Sequence, residues 1–200
     1  TAYRRQRQMC IRDRDTAQYD AVFKQSDFTT KNYIKSFDVE NKTTDFEFNK
    51  TDVTGDKEVE GAQLTITDED GNVVDQWTSD GKVHSIEGLV VGKTYTLSET
   101  VTAKDYVKAT DIKFTVKNSS ELEKVTMKDK QVFVSKTTVG GEEVTGAHMQ
   151  IIDEDGNIID EWYSEGKSHI ANGLEEGKTY TLHEDLSPLG FNLANDFTFA

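Results

Sequence analysis

Three charged residues in this chain fall where apolar ones belong. Lys50 follows Phe46 and Phe48 at alternate positions, Glu99 follows Tyr95 and Leu97, and Asp129 follows Val125 and Met127. A period of two marks a strand with one buried face, so each charge shares the inward phase of its neighbours. A carboxylate or an ammonium on such a face is costly unless it is neutral or paired. Three readings are open from phase alone. The charges reach past the sheet rim to water, they form a buried ion pair, or they make a reactive site, because burial favours the neutral forms of an amine and an acid alike.

The acid recurs. Gly92-Lys93-Thr94-Tyr95-Thr96-Leu97-Ser98-Glu99 returns as Gly177-Lys178-Thr179-Tyr180-Thr181-Leu182-His183-Glu184, with Glu184 again in phase with the apolar residues. The elements that must hold these groups are short strands. Phe46, Phe48 and Lys50 alternate on the first, and residues 61–67 form a second. Asp70-Gly71 signals a tight hairpin turn into a return strand at residues 73–77. The stretch 92–100 follows, then strands at 111–117 and 124–129. Six or seven short strands without a convincing amphipathic helix predict an all-β sandwich. In a sandwich the first and last strands can be neighbours, which brings Lys50, Glu99 and Asp129 together.

Residues 131–200 repeat this pattern. Gly146 answers Gly61, Asp153 answers Asp68, Trp162 answers Trp77, His169 answers His84 and Glu184 answers Glu99, all 85 positions on. A repeat of that length predicts tandem domains rather than a solenoid of small units. The expected organisation is a complete domain over 43–130 and a second over 131–200, truncated before its last strand. Residues 15–42 read as the tail of a preceding domain or a linker. Residues 1–14 are basic and fit nothing that follows. Met9-Cys10-Ile11-Arg12-Asp13 resembles the translation of a transposon-end sequencing adapter, so this segment reads as non-native; the rival reading is a basic arm.

Composition narrows the function classes. Of 200 residues 34% are apolar and 30% charged, and the formal net charge is −14. Such a surface repels phosphates, so neither nucleic acid nor an anionic membrane is an expected partner. The single cysteine, Cys10, excludes an internal disulfide framework and a cysteine-rich metal site.

The series Phe48-Asn49-Lys50-Thr51-Asp52, Gly61-Ala62, Asp68-Glu69-Asp70-Gly71-Asn72 and Gly92 to Thr100 resembles the Cna B-type (SpaA-like) domain of Gram-positive surface adhesins and pilins. The likeness covers residues 45–200. It implies tandem transthyretin-like/Ig-like β-sandwiches, in which many members form a spontaneous Lys–Asn or Lys–Asp isopeptide bond. Carried over by position, Lys50 is the amine, Asp129 the carboxyl partner and Glu99 the assisting acid. Lys136 and Glu184 match in the second copy, whose partner is expected near position 214. Phe37, Val39 and Asn41 share the phase of Val125, Met127 and Asp129, and Asn41 is read as the amide-side partner of a preceding domain. The resemblance further implies a structural stalk module on the cell wall, with neighbouring repeat domains and a host extracellular matrix protein as partners, and no cofactor. One departure stands out. The family follows its Glu with a Pro and Gly turn before an aromatic, kept here as Ser187-Pro188-Leu189-Gly190-Phe191, but the first copy has Thr102-Ala103-Lys104-Asp105-Tyr106.

Other classes fit less well. Asp68 to Asn72 starts like a calcium loop but has Ser79 where the bidentate Glu belongs. Paired carboxylates suggest a glycosidase, yet no second acid recurs beside Glu99. His84 and His169, at equivalent places in the two copies, read as ordinary hydrogen-bonded histidines, and Trp77 and Trp162 as core anchors. A ligand-binding adhesive module without a cross-link is the main alternative to the stalk.

Overall fold

The computed structural model describes residues 44–119 and 121–200. The expectations for residues 1–14 and 15–42, Asn41 included, fall outside the described residues. Among the described residues every regular element is a strand. The alternating stretches explain why, since β-branched and aromatic side chains at every second position fit a pleated surface with one dry face.

Seven strands make the first sandwich: β1 Phe46–Asp52, β2 Glu60–Thr67, β3 Val73–Asp80, β4 His84–Ile86, β5 Thr94–Val101, β6 Ile112–Thr115 and β7 Glu123–Asp129. They form two sheets, in the orders β4-β1-β7 and β3-β2-β5-β6. The neighbours β1 and β7 run parallel, in register from Phe46 opposite Glu123 to Asp52 opposite Asp129. Phe46, Phe48 and Met127 from one sheet meet Leu64, Ile66, Tyr95 and Leu97 from the other in a common core. Trp77 packs at the margin of that core, half buried, with its indole stacked on the His84 ring at 4.0 Å.

The second sandwich repeats the order with β8 Phe133–Val134, β9 Thr145–Asp153, β10 Ile158–Glu165, β11 His169–Ile170, β12 Tyr180–Leu186 and β13 Phe197–Phe199. Its four-stranded sheet runs β10-β9-β12-β13, and β8 pairs with β11. Trp162 and His169 repeat the stacked pair, also at 4.0 Å.

Two local devices recur in both copies. Asp68 closes its hairpin loop by accepting hydrogen bonds from the N–H groups of Asp70 and Asn72, and Asp153 does the same for Asp155 and Asn157. Side-chain bonds from Asn72 and Asn157, with those backbone bonds, hold both carboxyls below their ordinary range. The carboxylate that looked like a calcium ligand therefore braces a turn. At the other end of β2 the register slips between Glu60 and Gln63, where Gly61 adopts φ +88°. The Ala62 N–H at this bulge donates to the buried Ser79 hydroxyl at 3.0 Å, and Ala147 to Ser164 likewise.

Candidate functional site

The three inward charges meet in the first core. Lys50 is 2% exposed, Glu99 1% and Asp129 1%. Lys50 lies on β1, Asp129 ends β7 beside it, and Glu99 faces them from β5 in the opposing sheet. The Lys50 Nζ is 3.1 Å from Glu99 Oε1 and touches Asp129 Oδ1 directly. Glu99 Oε2 accepts a 2.8 Å hydrogen bond from the Ala109 N–H, which orients the carboxyl. Asp129 Oδ2 is buried with no hydrogen-bond partner.

Burial dominates the electrostatics of Asp129. Desolvation pushes its carboxyl up to about 6, against the opposing pull of the Lys50 ammonium; the negative charges of Glu99 and Glu176 add smaller upward contributions. The carboxyl is thereby poised between acid and anion near neutral pH, which an isolated surface ion pair never is.

The second copy holds two of the corresponding groups. Lys136 Nζ lies 2.9 Å from Glu184 Oε2, which also accepts from the Ala194 N–H at 2.6 Å. Glu184 Oε1 is buried without a partner. The N–H donor that orients each acid went unnoticed in the sequence, although Ala109 and Ala194 stand 85 positions apart and ten beyond their acids. The unusual turn of the first copy proves equivalent to its counterpart. Asp105 takes φ 69° where Gly190 takes φ 91°, and the turns close alike, Tyr106 N–H to Ala103 O and Phe191 N–H to Pro188 O. Asp is among the few residues with a side chain that tolerate this region.

The remaining candidates have structural partners. His84 Nε2 donates to Asp75 and His169 Nε2 to Asp160, each at 2.8 Å. No group of three or more His, Cys, Asp or Glu among the described residues is arranged to hold a metal ion. No helix among them is long and apolar enough to cross a membrane.

Parallel first and last strands closing a three-on-four sandwich, with an amine and two acids in its core, define a prealbumin-like domain. Residues 44–131 match the SpaA family model, described as a prealbumin-like fold domain. No curated protein sequence matches the chain. Similar solved structures include the Bacillus anthracis TIE protein, at 24% identity and TM-score 0.41 over 80% of this chain and 32% of that one. They also include the shaft pilin SpaA from Lactobacillus rhamnosus GG, at 16% identity and TM-score 0.38 over 78% of this chain and 93% of the pilin. BcpA, the major pilin subunit of Bacillus cereus, is 13% identical with a TM-score of 0.39 over 78% of this chain and 95% of its own. The chain thus spans about a third of the TIE protein's length.

Proposed function

We propose that this chain is a structural stalk segment of a Gram-positive cell-surface protein, an adhesin or pilin, whose first domain forms its own Lys50–Asp129 isopeptide bond. The observation that supports it is the contact of Lys50 with Asp129 beside Glu99, all buried in one apolar core. As a static ion pair this arrangement is a poor stabiliser. Two acids share one lysine, and one Asp129 oxygen is left unbonded, so the desolvation cost is only partly offset. Condensation removes that cost.

The step balances without any outside reagent. With Asp129 in its acid form, a proton passes from the ammonium to Glu99, and the freed amine attacks Cγ of Asp129 to form the C–N bond. The departing hydroxyl takes the proton held by Glu99, the C–O bond breaks, and water leaves. The surplus proton of the attacking nitrogen passes to Glu99, which releases it to solvent, and the new amide keeps one N–H. Contact distance and a rigid core supply the proximity that a bimolecular reaction lacks. The chemistry serves the fold, so the chain turns over no external substrate.

Intact mass is the test. The folded chain is expected to weigh one water less than its sequence, and Glu99→Ala to restore the full mass. A full mass in the parent chain overturns the reading. In the second copy Lys136 and Glu184 supply an amine and an acid for a like bond. Outside the described residues, Asn41 keeps its proposed role as the amide partner of a preceding domain, and a cross-linked Asn41 peptide from a longer native chain is its test.

A further inference from the structure

The segment between β5 and β6 is held from both sides. Its Asp105 N–H donates to Asn172 Oδ1 of the second sandwich at 2.8 Å. Val107 is buried among Ile151, Leu174 and Tyr180 of the second core, while its own N–H donates to Lys130 O. The Lys108 N–H donates to Leu174 O at 2.8 Å, and Lys108 O accepts from the Glu176 N–H at 2.9 Å. The Thr110 hydroxyl donates to the Glu176 carboxylate at 3.2 Å, and the Lys130 ammonium reaches the same carboxylate.

Two of the residues so gripped flank the donor that orients Glu99. Ala109 sits between Lys108 and Thr110, and its N–H is the group on Glu99 Oε2. A third, Lys130, adjoins Asp129. The loop that grips them is where the second copy departs from the first: Asn172, Glu175 and Glu176 stand in the places of Glu87, Val90 and Val91. Tyr180 fixes that loop from beneath, its hydroxyl accepting the Glu175 N–H at 2.9 Å.

We infer that the second domain positions the cross-link site of the first: by gripping Lys108, Thr110 and Lys130 through its 172–176 loop, it holds the Ala109 N–H on Glu99 and Asp129 against Lys50. Glu176 is the positioning residue. A consequence is that bond closure in one domain waits on folding and docking of the next. The inference rests on the isopeptide reading above, so its test carries a readout independent of the bond.

The full chain, Glu176→Ala and Glu176→Gln are compared in two measurements. One is the time course of water loss after cell-free synthesis; the other is hydrogen exchange at the Ala109 amide. Glu176→Ala is expected to slow closure about tenfold, the scale of a modest misplacement of reacting groups, and to speed Ala109 exchange by a similar factor. Glu176→Gln keeps an acceptor for Thr110 and is expected to recover most of both effects, which a general loss of stability would not produce. Equal closure rates in Glu176→Ala and the parent overturn the inference. A parent that never loses water overturns the isopeptide reading; exchange at Ala109 then decides the grip alone, faster exchange in Glu176→Ala upholding it and unchanged exchange ending it.

Discussion

A carboxyl group that reacts with an amine must shed an oxygen, and its protonation state governs how readily it does so. Asp129 is pushed up to about 6, chiefly by burial, so below pH 6 it is mainly the acid and above pH 6 mainly the anion, which resists attack. The sign follows: closure is expected to slow as pH rises through 6, by about tenfold per unit once the anion dominates. Timed intact masses of freshly synthesised chain between pH 5 and 8 measure it, and a rate that climbs over that range contradicts it. A second residue-scale prediction concerns Ser79. Its hydroxyl is the acceptor for the Ala62 N–H at the bulge, and Ser79→Ala leaves that buried donor unbonded at a cost of ~1–3 kcal/mol. Chemical denaturation of the first domain tests it, and a loss below a few tenths shows that the bulge finds another acceptor. The two residues differ in how they show in the sequence. Asp129 is conspicuous there because its charge breaks the apolar phase of β7. Ser79 is inconspicuous, because its role depends on a bulge in a different strand.

At the scale of elements, the alternation of side chains made the strands legible, and the structure places β1, β2, β3, β5, β6 and β7 over the expected stretches. The strand β4 was not foreseen. Three residues are too few to show a period, and it forms because β1 offers it an edge. The sequence allowed β1 and β7 to be neighbours, but their parallel direction and register come from the packed sheets. The orienting N–H groups of Ala109 and Ala194 stayed hidden for a related reason: a backbone donor has no residue type. Lys50 and Asp129 stand 79 positions apart, so a covalent tie between β1 and β7 closes nearly the whole domain. By the estimate for cross-linked loops it removes unfolded-state entropy worth ~4 kcal/mol. Lys50→Ala is therefore expected to lower the melting temperature of the first domain by roughly 20 °C, and more if the two acids left behind cannot find protons. A shift of only a few degrees, followed by calorimetry, sinks the idea of a staple.

At the scale of the whole molecule the two sandwiches share a side chain. Val107 belongs to the first by sequence and to the second by packing, so Val107→Ala should destabilise the second core by about 2 kcal/mol. Faster hydrogen exchange at the Ile151 amide, in a different domain from the substitution, would register it; unaltered exchange there would show that the contact carries no stability. The parallel pairing of β1 and β7 has a mechanical consequence. Because the strands point the same way, the polypeptide arrives at one end of the sandwich and departs from the other. A pull on the flanking chain then loads the two strands in shear, with every rung of the ladder resisting together, rather than peeling them apart rung by rung. With Lys50 bonded to Asp129, the load crosses from one strand to the other through a single amide, and everything between those residues lies outside its path. A closed bead lengthens hardly at all, whereas one left open by Lys50→Ala releases roughly 270 Å of slack, a step that single-molecule extension resolves. Such a bead passes tension along the chain without giving.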